Sequence, residues 1–295
     1  MRTSWIERFG WLLRQSAASV YDDHCLETAK AAAYSALLAF FPVLTALALA
    51  LVRFRAEQVG TVISNFLFEV VPPGTKDMVV RQFALEGEKP SSLLVIAGIV
   101  ALWAASGLIL SLIEGFNALY KIPRGRPLIR GRLVAVALVF CSALPALGAS
   151  ALILFGGRTE QWLVRRLGLA AEQSQFAGGL LLAGSLTRSL IALGATVVTT
   201  ALLYKFGPNR RQRWRNVWPG AMIVAVLWFA ATSAFSWYVR NIADYNLLYG
   251  SIGAVIALIL WLYLLSILTL FGCAFNAERE RLEAAARTLD SARPG

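Results

Sequence analysis

Apolar residues in this chain gather in long runs separated by short polar breaks. The pattern matches neither the two-residue period of a half-buried strand nor the single apolar stripe of a surface helix. A bilayer-spanning helix takes about 20 predominantly apolar residues, and six runs meet that length, near 31–52, 92–114, 133–155, 177–203, 216–239 and 250–275. They predict an all-α polytopic membrane protein. Its parts are an N-terminal segment 1–30, a six-span domain 31–275 with a long loop at about 53–91, and a tail 276–295.

Outside the runs, apolar residues return at helical spacing. Trp5, Phe9, Leu12, Leu13 and Val20, interleaved with Arg8, Arg14 and Asp22, predict an amphipathic helix along the headgroups that leads into span one. Val59, Ile63, Phe66, Leu67 and Val70, stopped by Pro72, Pro73 and Gly74, predict a helical cap in loop 53–91. Trp162, Leu163 and Leu167 predict a weaker interfacial helix. Charges are scattered through residues 1–30, which therefore lack the apolar core of a cleaved signal peptide, and span one is expected to be a retained anchor.

Composition agrees with lipid as the solvent. Of 295 residues 58% are hydrophobic and only 15% charged, against about 25% charged in soluble domains. A disordered chain, a collagen, a disulfide miniprotein and an ordinary cytosolic enzyme are excluded as classes. The formal charge of +11 first admits nucleic acid or anionic lipid as partners. Its distribution decides between them. Loop 115–132 holds Lys121, Arg124, Arg126, Arg130 and Arg132, and loop 204–215 holds Lys205, Arg210, Arg211, Arg213 and Arg215, neither with an acid beyond the end of span two. The positive-inside rule then puts both termini and both basic loops in the cytoplasm. The expected partners are membrane lipids, with anionic headgroups at these loops, and no nucleic acid; the residues specify no oligomeric state. Cys25, Cys141 and Cys273 are far apart, so small buried hydrophobes are expected rather than a metal site or disulfide.

Arg188 is the sharpest chemical feature. It falls near the middle of span four, where a guanidinium is costly and usually faces the bundle interior or a wet cavity. Two readings stand side by side: contact with an anion such as a phosphate headgroup, or capping of backbone carbonyls. Ser185 and Ser189 share its face at helical spacing and extend the candidate binding patch. Glu114 and Asn117, three apart at the end of span two, are further candidates. Pro42 in span one and Pro145 in span three each remove an N–H and are expected to bend their helices. Gly250, Gly253, Ala254 and Ala257 offer a small-residue face for helix packing. The acids are dispersed, there is one His, and no phosphate loop or hydrolase motif is present, so no enzyme, metal or cofactor is expected.

Three segments in order resemble the YihY / virulence factor BrkB family, once labelled ribonuclease BN. They are AAAYSALLAFFP from Ala31 to Pro42, YKFGPN from Tyr204 to Asn209 leading through Trp214 to Pro219 and Gly220, and YGSIGAVI from Tyr249 to Ile256 closing with Gly272 and Asn276. The stretch from Trp103 to Tyr120 fits as well. This chain differs in having Ala39 where many members carry Ser, and Ala274 where many carry an acid. The resemblance implies an inner-membrane protein, regards the ribonuclease label as mistaken, and suggests transport or movement of envelope lipids. The leading expectation is a transporter or flippase-like protein for an anionic or amphipathic substrate. The alternative is a structural or scaffolding membrane protein, with a membrane-bound ribonuclease as a remote third.

Overall fold

A computed structural model describes residues 5–53, 91–145, 148, 175–241 and 251–291. These residues form helices and turns, with no strand among them. The helices are α1 (Trp5–Asp22), α2 (Cys25–Arg53), α3 (Ser91–Leu119), α4 (Leu128–Pro145), α5 (Gln175–Phe206), α6 (Trp214–Asn241) and α7 (Ser251–Ser291). Six of them, α2 to α7, are long and apolar enough to cross a bilayer. The described residues of each expected span lie in helix, span three (133–155) being described as α4 only to Pro145. The caps expected around 59–83 and 162–167 lie outside the described residues.

Helix α2 shows why the bundle can be tight. Cys25, Ala29, Ala32, Ala33, Ala36 and Ala39 recur at intervals of three and four and are all buried. Such a small-residue face lets a neighbouring backbone approach closely, which is how membrane helices gain dispersion contact in a solvent as apolar as their side chains. Helix α3 uses it, packing along α2 over an extensive contact. A Cβ on Gly115 would lie 2.5 Å from Leu270 Cδ2 and 3.1 Å from Thr28 Cγ2. Ala39 belongs to this buried face.

Two apolar clusters form. The larger gathers Ala29 and Ala32, Ile113 and Phe116, Leu138, Tyr204, Val217 and Val224, and Leu270 and Cys273, at the end of the bundle that carries the basic loops. The smaller, made by Phe235, Val239, Ala257, Leu258 and Trp261, lies toward the other end between α2, α6 and α7. Cys25 and Cys273 are buried as expected, but Cys141 is exposed. Gly253 and Ala257 are buried on α7, whereas Gly250 and the side chain of Ala254 lie outside the described residues.

Three features go beyond the sequence reading. Residues 276–291 continue the last span as helix, so α7 is a single 41-residue element that touches α1, α2, α3 and α6. Arg132 belongs to α4 rather than to a loop. It reaches α3, where its guanidinium lies 3.8 Å from the centre of the Trp103 ring and Nη2 donates to the Trp103 carbonyl at 2.7 Å. Helix α1 buries Leu12, Ser16, Ser19 and Val20 rather than a purely apolar stripe, because it packs on α7, with Phe9 edge-to-face on Phe275 at 5.9 Å.

Candidate functional site

The densest polar arrangement sits where α3, α5 and α7 emerge from the bundle at its basic end. Helix α3 stops in a Schellman cap: Lys121 N–H donates to the Ala118 carbonyl and Ile122 N–H to that of Asn117, both at 2.9 Å. Lys121 takes the left-handed position with φ 53°, and His24 in the α1–α2 turn has φ 54°. An ion pair from Lys121 to Asp23 ties the two turns together. The second Asp23 oxygen is buried without a hydrogen-bond partner.

The α5–α6 loop is clasped onto the α3–α4 loop. Arg126 Nη2 donates to the carbonyls of Phe206 and Pro208, both at 3.0 Å, and Nη1 to that of Gly207. A helix leaves its last carbonyls unpaired, and a guanidinium fork satisfies several at once. Asn209 N–H donates to Asn117 Oδ1 at 2.9 Å, and Asn209 Nδ2 to the Arg124 carbonyl at 3.1 Å. Burial pulls the Arg126 pKa below its ordinary value.

Four consecutive residues of α7 fasten this assembly. Successive side chains on a helix point about 100° apart, so Glu278, Arg279, Glu280 and Arg281 reach different neighbours. Glu278 Oε1 accepts from Ser19 of α1 at 2.6 Å and pairs with Arg281. Arg279 Nη2 donates to the Arg215 carbonyl at 3.2 Å. Glu280 pairs with Arg210, whose guanidinium lies 4.1 Å from the centre of the Tyr120 ring. Arg281 Nη2 donates to the Leu119 carbonyl at the end of α3, at 2.7 Å. In the orientation that satisfies both ends of the Gln212 amide, its nitrogen donates to Glu280 at 3.2 Å and its oxygen accepts from the Tyr120 hydroxyl at 3.2 Å. Burial foremost, with Cys273 and Glu280 adding, raises the Tyr120 hydroxyl above its usual range, while Arg210 and Gln212 oppose.

Just inside this layer α6 and α7 cross at two glycines. A Cβ on Gly220 would lie 2.2 Å from the Gly272 carbonyl oxygen, and one on Gly272 2.5 Å from the Tyr204 hydroxyl. That hydroxyl donates to the Thr269 carbonyl at 2.6 Å. Pro219 cannot donate to the carbonyl four residues before it, and that carbonyl, on Arg215, is the one Arg279 caps.

The residues expected to bind substrate are not gathered here. Asn117 is buried and holds the Asn209 loop, while Glu114, one turn earlier, is exposed. Arg188, Ser185 and Ser189 lie on α5. Ser189 is exposed, and the side chains of Arg188 and Ser185 lie outside the described residues. Pro42 lies inside α2, which runs from Cys25 to Arg53, and Pro145 is the last residue of α4 as described. Among the described residues no three His, Cys, Asp or Glu side chains converge. Sequence reasoning missed the Glu-Arg-Glu-Arg fastening, whose only signal is alternating charge immediately after an apolar run.

A protein-family model described as virulence factor BrkB matches residues 17–294. Three relatives are similar. The first, named putative ribonuclease-like protein YfkH, from Bacillus subtilis, is 32% identical over 61% of this chain and 62% of its own length. A UPF0761 membrane protein of Chromobacterium violaceum is 30% identical over 76% of this chain and 49% of its own. A UPF0761 membrane protein of Alteromonas mediterranea is 27% identical over 86% and 83%. The chain thus spans about half to three fifths of the length of the first two. No solved structure matches it.

Proposed function

The chain belongs to the virulence factor BrkB family of membrane proteins, and from that premise we propose that it is a transporter or flippase-like protein for an anionic or amphipathic, lipid-like substrate. It would act in the bacterial inner membrane, with both termini and the basic loops in the cytoplasm by their excess of Lys and Arg. One contrast along α5 carries the reading. Near Phe206 the helix is clasped by Arg126, but at Leu186 and Leu190, on either side of Arg188, it is 65% and 66% exposed. Thr187 and Ser189 on the intervening turn are exposed too. Arg188 lies 18 residues before Phe206, or about 27 Å along the axis. A helix closed at one end and exposed at the residues flanking an Arg expected near the membrane middle suits a substrate that enters sideways from lipid with its charged group toward the Arg. Pro42 and Pro145 are proposed to shape that opening, with Ser185 and Ser189 beside the Arg. Glu114 and Asn117 belong to the closed end.

The test is reconstitution in vesicles containing a fluorescent anionic phospholipid, with outer-leaflet label destroyed by an impermeant quencher. Wild-type protein should expose inner-leaflet label. Arg188→Ala should slow this by about tenfold, the equivalent of about 1.4 kcal/mol, at unchanged abundance and thermal stability. Wild-type vesicles that behave like protein-free ones would overturn the reading. They would favour the scaffolding alternative, which draws on the fastened basic end. A nuclease role would require metal-dependent RNA cleavage by the pure protein.

A further inference from the structure

We propose that a groove at the start of α4 binds the phosphate of an anionic phospholipid headgroup, at a site separate from α5 and not dependent on the transport reading. The groove has a volume of about 480 Å³ and is lined by Arg126, Pro127, Arg130, Leu133, Val134 and Asn209. That volume falls within the range of small-molecule sites, about 300–1,000 Å³. Two guanidinium groups line it and no carboxylate does.

Three further features point to an anion. Arg126, which lines the groove, spends three N–H groups on carbonyls, and a guanidinium has more donors than that, so it keeps its charge and spare donors. Its lowered pKa marks a cation that has lost solvent, a cost that a bound anion offsets. Gly131 N–H donates to the Pro127 carbonyl at 2.8 Å, so the helix begins there. The amides of Leu128, Ile129 and Arg130 then precede any intrahelical partner and present the positive end of the helix beside the two arginines.

The remaining walls select a lipid over free phosphate. Leu133 and Val134 line the same groove, and Leu128 and Ile129 beside it are 93% and 78% exposed. A free phosphate leaves this apolar surface uncovered. The upper acyl chain of a phospholipid, seated by its phosphate on Arg130, covers it.

The full-length protein, stripped of lipid in mild detergent, would be titrated with phosphatidylglycerol or phosphatidylcholine and its bound lipid counted by native mass spectrometry. Phosphatidylglycerol should bind preferentially. Arg130→Gln should weaken it by about fivefold, the size of one basic contact at a membrane surface. Arg211→Gln, an equal loss of charge at an exposed position outside the groove, should leave binding unchanged. Equal weakening by both variants would reduce the effect to overall charge and overturn the site. Equal binding of the two lipids would do the same. Displacement of phosphatidylglycerol by millimolar inorganic phosphate would show a free-anion site and overturn the assignment to lipid. The readout is lipid binding, so failure of Arg188 to support transport would leave it intact.

Discussion

Asn276 of α7 and Gly220 of α6 are joined by a 2.8 Å hydrogen bond in which the side-chain oxygen of the first accepts the backbone N–H of the second. The Asn276 amide nitrogen also donates to the Val217 carbonyl at 3.1 Å. One side chain thus serves a donor and an acceptor of the neighbouring helix backbone, next to the break that Pro219 makes in its ladder.

Asn276→Ala should destabilise the protein by about 2–6 kcal/mol, since two buried backbone groups lose their partner at about 1–3 kcal/mol each. Thermal unfolding of the purified protein in detergent checks this. An unchanged midpoint would mean the backbone groups find other partners.

Gly220→Ala and Gly272→Ala should each cost at least as much as ordinary overpacking, about 1–3 kcal/mol. The added methyl at Gly220 meets a backbone carbonyl at 2.2 Å rather than a movable side-chain tip. Gly194→Ala, where nothing lies within 4 Å, should be neutral or stabilising, as replacing a mid-helix Gly by Ala gains about 0.5–1 kcal/mol. Comparing the three midpoints separates a packing requirement from a general effect of glycine replacement.

Ser19 and Glu278 should be energetically coupled. A double-mutant cycle with Ser19→Ala and Glu278→Ala should return about 0.5–3 kcal/mol, the usual size for contacting residues. Independent effects would mean that α1 is held on α7 by apolar contact alone.

Stability should fall at alkaline pH through Tyr120. The folded state raises its pKa above the unfolded value near 10, so the native protein holds its proton more tightly than the unfolded chain. The stabilisation is complete below about pH 10 and is lost as pH rises beyond it toward the folded pKa. Unfolding midpoints of wild type and Tyr120→Phe between pH 8 and 11 should converge as the wild type loses its advantage; parallel curves would dissociate Tyr120 from the alkaline loss.

The spans were legible because lipid leaves the backbone so few choices: a long apolar run must satisfy its own N–H and C=O groups, and a helix does so. The buried face of α2 was present in the Ala-rich approach to span one, and the basic loops were visible in the charge pattern. What eluded sequence reasoning depends on which residues meet. Gly220, Gly272 and Asn276 were in plain view as motif residues, but only the crossing of α6 and α7 brings them together. Arg132 counted as loop charge because its distance from Trp103 in the sequence hides a contact between two helices. Glu278 to Arg281 resembled a solvated tail, since alternating signs on an exposed helix read the same way.

The continuity of α7 turns the C-terminal segment into a lever arm. At 41 residues it is about 60 Å long, with its far portion gripped by α1, α3 and the α5–α6 loop and its near portion in the apolar core. A fluorescent reporter placed after Ser291 would therefore follow the tilt of the membrane helix itself. A partner protein that pulled on that arm would gain mechanical access to the helices around it.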